Sequence, residues 1–271
     1  MESKHRITII RITVLATFLA MIIVNALASI LPINGLSTGQ VSDSYPNLFA
    51  PAGITFAIWG IIYLLLGVYT LYQLGLFKGN SATTNTELLN KIGIIFSISS
   101  IANAAWIFSW HYQQFPLSML LMIVILACLI LINQTLKDEQ LSEREDIFVR
   151  IPFSVYFGWI TVATIANAAV LLVSLGWRGI VFSEATWAAL IIFVGFIIGA
   201  TTMLKNRDIA YGLVIVWAYA GILLKHLSSE GFGGQYSTII ASTTICIFLL
   251  LLSAAYILIS KKRNMYKQNG A

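Results

Sequence analysis

The chain reads as an all-α membrane protein, a polytopic helical bundle of about eight transmembrane helices. Three observations predict this. Of its 271 residues 58% are hydrophobic and only 10% charged, against roughly 25% charged in an ordinary soluble domain. The mean hydropathy of +0.86 is spread along the whole length, which leaves no polar block for a separate soluble domain. Eight stretches stay apolar over the roughly 20 residues that a hydrocarbon core about 30 Å thick requires of a helix.

Those stretches cover residues 11–32, 52–76, 92–110, 116–135, 151–173, 184–203, 209–226 and 238–260. The spans at 184–203 and 209–226 are the shortest or least hydrophobic, so a count of seven stays open. The first stretch imitates a signal peptide, with Lys4, Arg6 and Arg11 ahead of an apolar centre and Ala26-Leu27-Ala28 as a cleavage-like site. Its apolar run continues through Leu31, which suits a span better than a signal.

Charge sets the direction. Cytoplasmic loops and tails carry the excess of Lys and Arg. With the N-terminus inside, Lys4, Arg6, Arg11, Lys78, Lys91, Lys137, Arg144, Arg150, Lys205, Arg207, Lys261, Lys262, Arg263 and Lys267 all fall on the cytoplasmic side, and only Arg178 and Lys225 fall outside. One span more or fewer would reverse every later loop, so the alternation supports the number as well as the orientation. The expected protein is multi-pass, in the plasma membrane of a prokaryote, with both termini cytoplasmic. Two connections are longer than a turn. The outer loop 32–51, rich in Ser, Gly and Asn, is placed to fold over a pocket mouth, and the inner segment 137–150 reads as a charged, helical, solvated turn.

The same features exclude several functions. The net charge of +5 sits at segment ends without an interleaved aromatic patch, so nucleic acid is not expected as a partner. Cys128 and Cys246 lie in apolar runs, where a thiol packs as a small hydrophobe. No predicted core holds an ionisable residue, since Arg150, Glu184, Asp208 and Lys225 fall at span ends; this disfavours ion-coupled transport and acid–base catalysis. His5 belongs to the tail, while His111 and His226 read as wet residues at outer helix ends. With no metal-ligand spacing and no nucleophile elbow, the chain does not read as an enzyme.

What the cores do hold is amides and aromatics at helical spacing. Phe56, Trp59 and Tyr63 share a face of the second span, Asn103, Trp106 and Trp110 of the third, and Trp159, Ala163 and Asn167 of the fifth, while Asn25 is the polar residue of the first. At 1.5 Å per residue, Asn25, Trp59, Asn103, Trp106 and Asn167 come out roughly 6–15 Å below the outer surface. Trp159 is deeper. Each asparagine alone is most simply glue between helices, but a shared layer of indoles, a phenol and amides without charge suits a flat, largely apolar ligand with a few polar atoms.

These segments carry a family resemblance. The run from Leu48 to Tyr63 (LFAPAGITFAIWGIIY) resembles the Pro-rich start of the second helix in the tryptophan-rich sensory protein (TspO/MBR, translocator protein) family. Asn103-Ala104-Ala105-Trp106 is similar to that family's Asn-x-x-Trp in its third helix, and Trp159 to Asn167 to its Trp-x-x-x-Ala-x-x-x-Asn in the fifth. The sequence departs from the family around Ala52 and Gly53, which replace a second proline and the tryptophan after it. The resemblance spans residues 10–173. It implies a five-helix domain over 1–173, with a pocket beneath the first loop that binds porphyrins and other hydrophobic ligands, followed at 174–271 by a three-helix extension with a basic cytoplasmic tail. It implies Phe49, Pro51, Trp59, Tyr63, Asn103, Trp106, Trp110, Trp159, Ala163 and Asn167 as ligand-binding positions.

The expected function is therefore a membrane ligand-binding or sensory protein that holds a porphyrin-like or other flat hydrophobic molecule. No cofactor is required, although the bound ligand would be of the porphyrin or haem type. Membrane lipids, the hydrophobic small molecule and a second copy in a homodimer are the expected partners. The alternative is a passive carrier of such a molecule. A third reading, an enzyme that photo-oxidises the ligand through its tryptophans, finds no acid, base or nucleophile among these residues.

Overall fold

The computed structural model describes residues 2–31, 33–77, 85–177 and 182–269, in backbone only for 2–4, 29 and 261–269. Lys78 and Arg178, two of the charges used for orientation, lie outside the described residues. So do the side chains of Lys4, Lys261, Lys262, Arg263 and Lys267.

Each apolar run forms a helix, and polar side chains cap the starts of three of the long ones. The long helices are α1 (Glu2–Ile30), α3 (Ile58–Leu74), α4 (Thr86–His111), α5 (Phe115–Lys137), α7 (Ile151–Ser174), α8 (Glu184–Asn206), α9 (Ile209–Leu227) and α10 (Ser237–Asn269), with the short α2 (Thr38–Asp43) and α6 (Glu143–Glu145) between them. Asn85, Ser183 and Asp208 cap α4, α8 and α9 by accepting from the N–H of Leu88, Thr186 and Tyr211, donors that the helix itself leaves unpaired. Pro116 falls in the first turn of α5, where a missing N–H does little harm. Eight helices among the described residues are long and apolar enough to cross a membrane, and the molecule is a multi-pass membrane protein.

The fifth span is longer than the sequence predicts, running from Glu143 to Ser174. Ahead of Pro152 the chain makes one π-helical turn, Asp146–Arg150, closed by Ile151 N–H donating to Asp146 O. This wide turn joins α6 to α7 without a break. The segment is not wholly solvated, because Glu145 is buried. Its carboxylate accepts from the N–H and hydroxyl of Ser142 and from the N–H of Asn85, tying the start of α6 to the start of α4.

Five helices close a ring: α1 packs on α4, α4 on α5, α5 on α7, α7 on α3, and α3 returns to α1. The contact between α3 and α1 is sparse. The last three helices attach through α9, which lies along α7 and carries α8 and α10 behind it. At the α7–α9 crossing a Cβ on Gly158 would lie 2.7 Å from the carbonyl oxygen of Tyr211. Only glycine allows that approach, the small-residue rule of membrane interfaces. The side chains pointing away from this packing, such as Leu64, Ile98, Ile123, Val194 and Phe248, are apolar and exposed, as a lipid-facing surface requires.

Asp208 is not the solvated end residue that its position suggests. It is buried, accepting from the Ser154 hydroxyl and the Tyr211 N–H. Burial pushes its carboxyl above the ordinary range, and those two donors pull it part of the way back.

Candidate functional site

The chain from residue 33 to 57 runs over one end of the five-helix ring and forms a cover. Ser37 starts α2 with a reciprocal capping box, its hydroxyl accepting from Gln40 N–H while the Gln40 side chain accepts from Ser37 N–H. Asn47 accepts from the N–H groups of Phe49 and Ala50 and so shapes the turn before Pro51.

One side of the cover is fastened to the end of α4. His111, fully buried, donates from Nδ1 to the carbonyl of Ile33 at 3.0 Å, which leaves Nε2 to accept from the Thr38 hydroxyl at 3.2 Å. Asn34 donates to the His111 carbonyl, and the Trp110 indole donates to the carbonyl of Thr38.

The other side is fastened to α9. Ala52 N–H donates to Gly221 O at 3.0 Å, Trp217 Nε1 to Thr55 O at 3.0 Å, and His226 Nε2 to Leu48 O at 2.9 Å. Lys225 pairs with Asp43 at 2.6 Å. Both outer histidines are therefore buried fasteners of backbone and not wet surface residues.

Beneath the cover the aromatic residues of three helices converge on Trp59. Its ring stacks on Tyr63 (centroids 5.3 Å apart) and meets Trp106, Tyr156 and Trp159, each at 6.1 Å. Phe56 packs edge-on against Trp159, and Trp110 stacks on Trp106. The amides of this layer bond mainly to one another: Tyr63 donates to Asn25, Asn25 to Asn103, and Asn103 to Tyr156. Trp106 and Ser118 both donate to the Asn167 carbonyl oxygen. In a bilayer, where no water competes, such pairs keep polar groups tolerable and hold the helices in register.

Within this layer one buried indole donor stays unpaired among the described residues. The indole N–H of Trp159 is buried without an acceptor, on the wall of a cavity of about 30 Å³ that Ser42, Pro51, Trp59, Trp106, Trp110, Ala163 and Asn167 also line. That volume admits a water or two. Phe56 and Trp59 separate it from a groove of about 370 Å³, which runs between α1 and α3 under α2 and is lined by Asn25, Thr38, Gln40, Asp43 and Tyr63 as well. The inner cavity has no ionisable group on its wall, and the one carboxylate of the groove, Asp43, is paired with Lys225.

A family model described as TSPO-like protein matches residues 11–256. The chain belongs to the TSPO-like protein family. No curated protein and no solved structure matches the chain. The family match runs from α1 across α8 and α9 into α10, well past residue 173, where the motif resemblance ends.

Within this TSPO-like fold, Pro51, Trp59, Trp106, Trp110, Trp159, Ala163 and Asn167 come together around the small cavity, and Tyr63 faces the groove. Asn103 is fully buried inside the amide network and lines neither. Phe49 is turned away, into a separate cavity of about 80 Å³ with Trp177, Glu184 and Trp187. Tyr156 is absent from the sequence-derived set although it stands three residues before Trp159, on the same face; that spacing was the available signal. Ser42 and Ser118 carried no signal, being serines of no special context.

Proposed function

We propose that this TSPO-like membrane protein binds a flat hydrophobic ligand of the porphyrin type at its covered end, in the groove between α1 and α3, with the ligand edge reaching the inner aromatic layer past Phe56 and Trp59. The observation that carries this reading is the unpaired Trp159 indole N–H, buried in an uncharged aromatic wall beside a groove of about 370 Å³. A groove of that size falls within the range of small-molecule sites. An apolar wall with one idle donor suits a ligand that is mostly ring and carries a few acceptors. The ligand is bound without being transformed.

Protoporphyrin IX titrated against the purified protein, read by tryptophan quenching, tests the proposal. Trp59→Leu removes the ring that Tyr63, Trp106, Tyr156 and Trp159 all meet. Stacking of an indole on a flat ligand contributes on the order of 1 kcal/mol beyond buried area, so affinity should fall by about tenfold or less. Trp187→Leu, in the separate cavity, should leave it unchanged. Wild type that binds no tetrapyrrole, or Trp59→Leu that folds and binds as wild type does, would refute the site. Flux of protoporphyrin across proteoliposomes distinguishes carriage from binding alone.

We also infer that both termini and the basic ends of the helices face the cytoplasm of a prokaryotic cell, from the distribution of Lys and Arg. Single cysteines near Glu143 and after Lys262 should then react only from inside, and those near Ser44, Gln113 and Gly233 only from outside. Two consecutive loops reporting the same side would contradict this topology.

A further inference from the structure

The opposite end of the bundle holds a further cavity of different character. It has a volume of about 480 Å³ and lies between α5, α7 and α8. Both α5 and α8 lean on α7, α8 only lightly, and they barely touch each other, so a vertical cleft is left with α7 as its back wall. One hydrogen bond between side-chain amides crosses it, Asn206 donating to Asn133 at 2.7 Å.

The two ends of the cleft differ in chemistry. Lys137 and Lys205, in the last turns of α5 and α8, stand at its mouth with Gln134 and Thr201. Neither lysine has a carboxylate within ion-pair distance among the described residues. The buried carboxylate of Asp208, at the start of α9, is engaged by Ser154 and Tyr211 N–H, and Arg150 is paired with Asp146. Farther in, the walls are mostly apolar, with Leu126, Ile130, Ile165 and Ile198, and the hydroxyls of Thr161 and Thr164 there are spent on carbonyls of their own helix. Leu126 stands eleven residues before Lys137, so the apolar run reaches about 16 Å from the basic mouth. That is the depth of a phospholipid acyl chain, in a half-bilayer of about 15 Å.

We propose that this cleft is a binding site for one anionic phospholipid, whose phosphate meets Lys137 and Lys205 while an acyl chain lies along Ile130, Ile198 and Leu126. Two unpaired cations at headgroup level over an apolar channel match an amphiphile with a negative head, and basic pockets between transmembrane helices recognise such heads. A zwitterionic lipid would bring its own cation against the lysines. The cleft opens on a different face of α7 from the tryptophan cavity and shares no lining residue with it, and the assignment does not depend on the ligand proposed there.

The test uses the full chain in nanodiscs of equal parts phosphatidylglycerol and phosphatidylcholine, extracted into detergent, with retained lipid counted by native mass spectrometry. Phosphatidylglycerol should be retained in preference to phosphatidylcholine, and each of Lys137→Gln and Lys205→Gln should lower its retention about fivefold. Ile130→Trp, which fills the channel and leaves both charges, should lower it as well. Lys91→Gln, a cation at the same end of the bundle but on α4, should not. Equal retention of the two lipids by wild type would overturn the proposal, as would retention unaffected by the paired lysine changes or reduced as much by Lys91→Gln. Glycerol phosphate competing as well as the lipid would assign the lysines to a free phosphate and refute the lipid site.

Discussion

Gly221→Val is expected to loosen the cover over the aromatic layer. A Cβ at this position would stand 2.0 Å from the Thr55 hydroxyl oxygen and 2.8 Å from the Thr55 Cβ, a collision that rotating one side chain cannot relieve. The chain around Thr55 must therefore move off α9, stretching the bonds from Ala52 N–H to Gly221 O and from Trp217 to Thr55 O. Overpacking of this kind costs about 1–3 kcal/mol, which corresponds to roughly a five- to 150-fold rise in the open population. Ser42, buried against the cavity, is the reporter. A cysteine there should react with a water-soluble maleimide faster by that factor in the Gly221→Val background. Lys225→Gln removes only a half-exposed ion pair and should change the rate less than fivefold. Trp217→Phe, which cannot create a clash, should give an intermediate increase even where the valine variant folds poorly. Unchanged labelling in both Gly221→Val and Trp217→Phe would show that α9 does not hold the cover.

Trp159→Phe should change stability and affinity in opposite senses. A buried donor without an acceptor costs about 1–3 kcal/mol, and phenylalanine removes it. The smaller ring leaves a void costing about 1 kcal/mol. The ligand-free variant should then be as stable as wild type or up to about 2 kcal/mol more stable in thermal or denaturant unfolding. Under the proposed function its affinity for protoporphyrin should fall about tenfold, because the donor proposed to meet the ligand is gone. A variant that loses stability and binds normally would show that the indole N–H serves packing.

Much of the architecture was legible in the residues. Runs of apolar side chains report burial in lipid directly, and the eight helices fall where those runs lie. The stripes of Trp59, Trp106 and Trp159 were legible for the same reason, since helical spacing fixes which side chains share a face. Their pairings were not. Asn167 was read as a candidate ligand contact, yet its oxygen is taken by Trp106 and Ser118, because an amide in hydrocarbon bonds the nearest donor that packing supplies. Glu145 and Asp208 read as solvated charges and are buried, each satisfying backbone N–H groups at a helix start. The clasp of α9 on the cover left no trace in side-chain pattern. Three of its four bonds end on the backbone carbonyls of Leu48, Thr55 and Gly221, which every sequence provides.

The sparse contact between α1 and α3 has a consequence for how binding is measured. Asn25 and Tyr63, which line the groove between these helices, each lie five residues from the covered end of their helix, about 8 Å down. The flanks of the groove at that depth face acyl chains. With the cover fastened on two sides, the hydrophobic ligand proposed above would dissolve in the bilayer first and arrive sideways. The protein would then respond to the mole fraction of that ligand in lipid. An apparent dissociation constant expressed per litre of water should rise in proportion to the lipid added, while the same constant expressed per mole of lipid stays fixed.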